Sequence, residues 1–90
     1  MEVTDIQIRR FNEKGNMKAL VSMVIDDAFV VHDVRIIQGN HGLFVAMPNK
    51  KVGDMGYRDI VHPINKEARQ QIESVIFAKY FEDEARNNNL

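Results

Sequence analysis

The three histidines are the side chains best suited to acid–base or metal chemistry. His32, His41 and His62 lie too far apart for the short separations of zinc-binding motifs. The nearest carboxylates, Asp33 and Asp59, are predicted on a strand and in a loop, so they do not cluster. With no cysteine in the chain, thiolate metal sites and disulfides are excluded. We therefore predict structural histidines, no metal and no cofactor, with a site around His32, Asp33 and His62 as the enzymatic alternative.

Other catalytic patterns are missing from the sequence. Ser22 and Ser74 lack the glycine-flanked elbow that presents a nucleophilic serine. The acid pair 26–27 is predicted at a turn and the acid run 82–84 on an exposed helix end, where solvated charge explains both. The sequence therefore predicts no catalytic residue, no enzyme and no small-molecule substrate.

A short segment rich in cations is suited to binding a negatively charged ligand. Within residues 49–58, Lys50, Lys51 and Arg58 stand against a single acid, and Tyr57 adjoins Arg58. Cations on a glycine-containing loop can contact the phosphates of nucleic acid. Three cations in ten residues also occur in loops that simply face solvent, so charge alone leaves that alternative open.

Two further cations stand at the predicted start of a helix. A cation in the first turn, here Lys66, opposes the helix dipole, and a bound anion nearby would remove that penalty. Arg69 follows three residues later. Lys66 and Arg69 are therefore predicted as weaker contributors to the same cationic site.

The first half of the chain is patterned as strands. Ile6 and Ile8 alternate with polar residues, and the next segment holds Met17, Ala19 and Val21 on one side. The third segment is rich in β-branched residues and is apolar on both faces. Four antiparallel strands are predicted, around 5–9, 17–25, 28–37 and 43–47, with a hairpin loop at 12–16 and turns at 26–27 and 39–42.

The second half is predicted as a long connection and one helix. Periodicity is lost over residues 48–65, apart from a short extended piece at 57–61. Asn65 is a candidate N-cap, and ion pairs Lys79–Asp83 and Glu82–Arg86 support the helix. The apolar positions with helical period are Ala68, Ile72, Val75, Ile76 and Tyr80. Residues 1–86 are predicted to form one domain and residues 87–90 a frayed tail.

The length of ninety residues and the net charge of −1 limit the possible architectures and partners of the chain. The length fits one α+β domain: an antiparallel sheet of about four strands, a long basic loop and one C-terminal amphipathic helix. Near-neutral charge does not by itself indicate a nucleic-acid binder. No secretory signal and no apolar run long enough to cross a membrane is found, which predicts a cytoplasmic protein with no membrane partner.

The prediction of a homodimer rests on the third predicted strand. Regular alternation places Phe29, Val31 and Ile37 on one face and an equally apolar set on the other. A single helix can cover only one of these faces. We therefore predict dimerisation through β elements, with Phe29, Val31 and Ile37 at the interface.

Four separated blocks give the chain a resemblance to a known family. They read VTDI at 3–6, FVVHDVRII at 29–37, GLFVAMP at 42–48 and YRDIVHPIN at 57–65. Together they resemble the stage V sporulation protein G family, the bacterial SpoVG septation regulators, from residue 1 to about residue 80. Members of that family usually carry Lys-Arg-Thr-Pro in the loop where this chain has Lys50, Lys51 and Val52.

The resemblance implies a non-enzymatic, dimeric regulator that binds DNA or RNA and influences septation, cell division and gene expression. The nucleic-acid-binding loop of the family corresponds to Lys50, Lys51 and Arg58 of this chain. Sporulation does not follow, since the family also occurs in bacteria that form no spores. The alternative function is a protein-interaction module whose apolar sheet face recruits division machinery without contacting nucleic acid.

Overall fold

The fold combines one antiparallel sheet, one small hairpin and one helix. A computed structural model describes residues 1–11 and 15–88, and side chains as far as residue 86. The elements are β1 (Val3–Arg10), β2 (Met17–Ile25), β3 (Phe29–Gly39), β4 (Gly42–Ala46), β5 (Asn49–Lys51), a 3-10 turn (Gly53–Met55), β6 (Tyr57–Asp59) and α1 (Lys66–Asn88). The predicted α+β class and the four antiparallel strands are confirmed, and of the predicted loop 12–16, residues 12–14 lie outside the described residues.

The sheet has strand order β1-β2-β3-β4, and α1 packs against one of its faces. Residues directly opposite each other on antiparallel strands share a face, so the pairing defines the side that α1 covers. The fully buried members of this core include Val21 opposite Val34 and Ala19 opposite Ile36. From the helix, Ile72, Ile76 and Tyr80 complete the core, as the helical period predicts.

Three bulges change which side chains face the helix. On β3, His32 and Asp33 both lie opposite Ser22, because Val21 pairs with Val34 and Met23 pairs with Val31. Asp33 takes a positive φ of 64°, which Asp tolerates better than most residues. The other register shifts fall between Val3 and Asp5 of β1 and between Met17 and Ala19 of β2.

The bulge on β3 overturns the predicted grouping of its side chains. Val31 packs against the core under the helix, whereas Ile37 lies on the opposite face of the sheet. Phe29 stands at the start of the strand and is 72% exposed. The prediction that these three residues share one face is therefore wrong. Regular alternation would put Val31 and Val34 on opposite faces, but the bulge places two residues of β3 opposite one residue of β2, so both face the helix. Their place in a dimer interface stays a prediction.

A second bulge changes the assignment of Met17. The sequence grouped it with Ala19 and Val21, but it pairs with Ile37 and so lies on the face that α1 leaves uncovered. We call this face the open face; its apolar members are Met17, Leu20, Val24, Val30, Ile37 and Phe44. Val30 is half exposed to solvent and Phe44 nearly half exposed.

Helix α1 begins where the sequence predicts. The Asn65 side chain accepts a hydrogen bond from the Ala68 N–H at 2.7 Å, which satisfies a donor in the first turn and contributes about 1 kcal/mol. The predicted pairs form, Lys79 to Asp83 at 3.8 Å and Arg86 to Glu82 at 2.8 Å. The helix is described as far as Asn88, which takes in two residues of the predicted tail 87–90; residues 89 and 90 lie outside the described part.

A contact between Arg10 and Tyr80 connects strand β1 to the helix. The Arg10 guanidinium carbon lies 4.0 Å from the centre of the Tyr80 ring, within cation–π range. An Arg10 Nη2–H also donates to the Tyr80 main-chain carbonyl. The phenol ring itself is buried in the core. The helix is thus held on the sheet by polar contacts at the edge of the core as well as by apolar packing.

Candidate functional site

The cationic residues of the segment 49–58 lie on a two-stranded antiparallel hairpin. The sequence predicts a loop with a short extended piece at 57–61, whereas the structure forms β5 and β6 as a separate small sheet. The Val52 N–H donates to the Gly56 carbonyl at 2.8 Å, and this closes the connection between the two strands. Gly56 has a φ of 83°, a conformation that favours glycine. The hairpin therefore fixes the backbone positions from which these side chains extend.

The base of the hairpin is joined to the end of the main sheet. The Ile60 N–H donates to the Pro48 carbonyl at 2.7 Å, and the Asn49 side-chain amide donates to the Met47 carbonyl at 3.1 Å. Met47 is itself buried in the core. The hairpin therefore projects from a fixed point of the fold.

One face of the hairpin carries two cations. Lys50 lies directly opposite Arg58, and both side chains are exposed. Opposed residues on antiparallel strands have Cβ atoms about 4.5–5.5 Å apart, and like charges in that position repel each other. No acid pairs with either side chain within 4.0 Å in the described ranges 1–11 and 15–88. This arrangement suits a bound anion, which would replace the repulsion with two attractive contacts.

The other face of the hairpin carries a cation beside an aromatic ring. Lys51 lies opposite Tyr57, and Asn49 lies opposite Asp59. The Tyr57 side chain is 74% exposed, so its ring makes little contact with the rest of the described protein. The sequence noted Tyr57 only as a neighbour of Arg58; the structure pairs it with Lys51 instead.

The two cations at the helix start differ in their surroundings. Lys66 is the first residue of α1 and is exposed. Arg69 forms an ion pair with Glu73 at 3.7 Å, so part of its charge is balanced within the helix. Within the described residues, no side-chain hydrogen bond or ion pair joins either residue to the hairpin.

The histidines make local contacts. The Ser22 hydroxyl and His32 Nδ1 are 2.9 Å apart, at the bulge of β3, and His62 Nδ1 lies 3.0 Å from the Pro63 carbonyl. Asp33 adjoins His32 but belongs to the bulge described above. In the described residues no three side chains of His, Cys, Asp or Glu are grouped so that they could hold a metal ion.

The structure exposes two apolar surfaces, of which the sequence predicted the first, an uncovered face of the sheet; of its three predicted members only Ile37 lies there. The open face of the sheet includes Phe44, whose position opposite Ile37 could have been found only from the register of β3 and β4. The segment after the hairpin exposes Ile60 by 60% and Ile64 by 88%. Exposed apolar side chains that form a contiguous patch are candidates for contact with another molecule.

Arg35 lies among the apolar residues of the open face. It pairs with Leu20 on one side and with Ala46 on the other. Its Nε atom is buried and has no hydrogen-bond partner in the part of the chain that the structure describes.

Within the described residues, no helix combines the length and apolar character that crossing a bilayer requires.

Comparison with known proteins gives matches over most of the chain. The family model described as SpoVG matches residues 1–82. A protein of Alkaliphilus oremlandii named "Putative septation protein SpoVG" is 51% identical, over 97% of this chain and 99% of its own length. Proteins of the same name from Agathobacter rectalis and Staphylococcus carnosus are 54% and 55% identical over 89% and 91% of this chain, and 92% and 77% of their own lengths.

Proposed function

The chain belongs to the SpoVG family, and from that premise we propose that it acts in septation as a dimeric regulator that binds DNA or RNA. Its relatives carry the name of a septation protein and not of an enzyme, which is consistent with a non-catalytic role. The nucleic acid is bound by the hairpin β5–β6. Through this contact the protein influences gene expression as well as septation.

The observation that carries the proposal is the position of Lys50 directly opposite Arg58. A folded chain gains nothing from two exposed cations held side by side without an acid between them. A phosphate bridging the two side chains would turn that cost into binding energy, because charge-assisted hydrogen bonds are stronger than neutral ones. Arg58 can add a two-pronged contact that a lysine cannot make.

Dimerisation makes a small site sufficient. Each hairpin supplies Lys50 and Arg58 on one face and Lys51 on the other, so a dimer carries six hairpin cations. The net charge of the chain is only −1, so these cations act through their local field and not through the charge of the whole molecule. Lys66 and Arg69 are weaker contributors, and the ion pair with Glu73 lowers the contribution of Arg69.

The salt dependence of binding tests the proposal. If most of the six hairpin cations neutralise phosphates, the slope of log affinity against log salt is expected to be about −4 to −5 for duplex DNA. Fluorescence anisotropy of labelled DNA and RNA at four salt concentrations measures this slope. No detectable binding to either nucleic acid at low salt would refute the proposed function.

A second candidate function is a protein-interaction module acting on the division machinery. The apolar open face and the exposed Ile60, Val61 and Ile64 favour this reading, since such surfaces recruit protein partners. An apolar protein interface loses little affinity as salt rises, unlike phosphate binding. A septation partner bound equally well at low and high salt, with no nucleic acid bound, would favour the alternative.

The proposed dimer gives a separate prediction at Phe44. This side chain lies on the open face opposite Ile37 and is 47% exposed, so it does not belong to the core of its own protomer. Replacing Phe44 with Asp would put an unpaired charge into the interface, at a cost of several kcal/mol. We expect F44D to sediment as a folded monomer at concentrations where the parent protein is a dimer.

Met55→Asp is the matched control for this variant. It adds the same charge at a side chain that is 85% exposed in the turn of the hairpin, so it should leave the dimer intact. A parent protein that sediments as a monomer, or an F44D variant that dimerises as tightly as the parent, would contradict an interface on the open face.

A further inference from the structure

Tyr57 is an exposed aromatic residue directly across the hairpin from a cation. It is 74% exposed, in contrast to the second tyrosine of the chain, Tyr80, which is 7% exposed in the core. Its directly opposed neighbour across the hairpin is Lys51, which is also exposed. Side chains opposed in this way lie on the same face, about 5 Å apart at Cβ. A planar apolar surface and an ammonium group are therefore presented together to solvent.

The other well-exposed rings of the described residues have different neighbours. Phe29 and Phe44 each lie opposite an isoleucine on the main sheet. Phe81 stacks with the ring of Phe77 on the helix, with the two centroids 6.1 Å apart. Of these rings, only that of Tyr57 lies opposite a cation, and that cation belongs to the hairpin to which nucleic-acid binding is assigned above.

A ring beside an ammonium group matches the chemistry of an unpaired nucleotide. The ring can stack on the face of a base, and the ammonium can contact the neighbouring phosphate. In a duplex the faces of the bases are covered by their neighbours, and only their edges are accessible in the grooves. An exposed ring therefore adds affinity for a single strand but little for a duplex.

We propose that the Lys51–Tyr57 face of the hairpin binds single-stranded nucleic acid, with a base stacked on the Tyr57 ring and an adjacent phosphate on Lys51. This inference rests on the proposed function, since it specifies which form of nucleic acid the same hairpin prefers. Asp59 lies on this face too, at its far end opposite Asn49. The phosphate therefore binds toward the turn, at Lys51, and away from the carboxylate.

The test compares Tyr57→Ala and Tyr57→Phe on three labelled probes. These are an oligonucleotide of about twelve nucleotides as DNA, the same sequence as RNA, and the DNA duplex. Loss of one stacked base is expected to weaken single-strand binding by about tenfold in Y57A, whereas Y57F keeps the ring and stays within about twofold of the parent. Duplex binding should be nearly unchanged in both. The DNA and RNA probes show which single strand is preferred, and a loss on either supports stacking.

Met55→Ala is the control, because it removes an exposed apolar side chain from the same hairpin without removing a ring. Tyrosine fluorescence provides a second measurement, since the chain has no tryptophan. Addition of a single strand should quench the emission of the parent protein, and Y57A should lose that response. A duplex should quench neither.

Several outcomes would overturn the inference and leave the proposed function intact. In one such outcome the parent protein binds nucleic acid, and Y57A binds all three probes either as tightly as the parent or with the same loss of affinity on each. Another is a Y57A variant with an altered sedimentation profile, which would assign the ring to a contact between protomers. Failure of the parent protein to bind any probe would instead refute the proposed function itself.

Discussion

Replacing Lys50 and Arg58 together with Ala is expected to weaken the binding of duplex DNA by about two to three orders of magnitude at 0.1 M salt. The two side chains lie opposite each other and share one face of the hairpin. In a dimer their loss leaves only the two Lys51 side chains of the six hairpin cations. The slope of log affinity against log salt should accordingly fall from about −5 to about −2. Titrations of the parent and the double variant over the same salt series measure both quantities.

A charge-matched variant separates position from net charge. Lys79→Ala with Arg86→Ala removes two cations from α1, where each is paired with an acid. This control should bind nearly as tightly as the parent protein. The thermal stability of the hairpin double variant should also be close to that of the parent, because exposed charges contribute little to folding. Equal losses in the two double variants would mean that the hairpin is not the binding site.

Ile76→Ala is expected to have the largest effect on stability. Ile76 is fully buried, in the middle of the helix face that packs on the sheet. Truncating such a side chain removes apolar burial and leaves a cavity, which together cost about 3–4 kcal/mol. In a domain of this size the melting temperature should fall by roughly 15–25 °C. Urea and thermal unfolding at equal protein concentrations measure the change.

Ile64→Ala is the matched control for the core variant. It makes the same substitution at a side chain that is 88% exposed within its own protomer. The cost in that protomer should be below about 0.5 kcal/mol. A variant of Ile76 that unfolds no more readily than the variant of Ile64 would contradict the position of α1 on the sheet.

Much of the main sheet and helix could be predicted because periodic burial leaves a periodic pattern in the sequence. Val21, Ile72 and Ile76 stand at the spacings of a strand and a helix, and all three are in the core. The N-cap could be predicted as well, because Asn65 has a local role that depends only on the residues after it. These features depend on near neighbours in the chain, which is why a single sequence reveals them.

The features that were missed depend on register between strands. Strands β5 and β6 have three residues each, too few to establish an alternation, so the segment read as a loop. The bulge at His32 and Asp33 likewise leaves no periodic signal, although an Asp that can adopt a positive φ is compatible with one. For the candidate site, the sequence supplied the cations, whereas the opposition of Lys50 to Arg58 required the pairing of the strands.

The bulge on β3 also determines where the length of this strand can vary. Because His32 and Asp33 share one partner, a chain that lacked Asp33 would regain regular pairing between Val21 and Met23, with every other residue of β3 on its present side. By contrast, removal of one residue between Val34 and Gly39 would move the side chains of the rest of the strand to the opposite face of the sheet. Position 33 is thus a place in strand β3 where the loss of one residue over evolution would leave the architecture of the sheet unchanged.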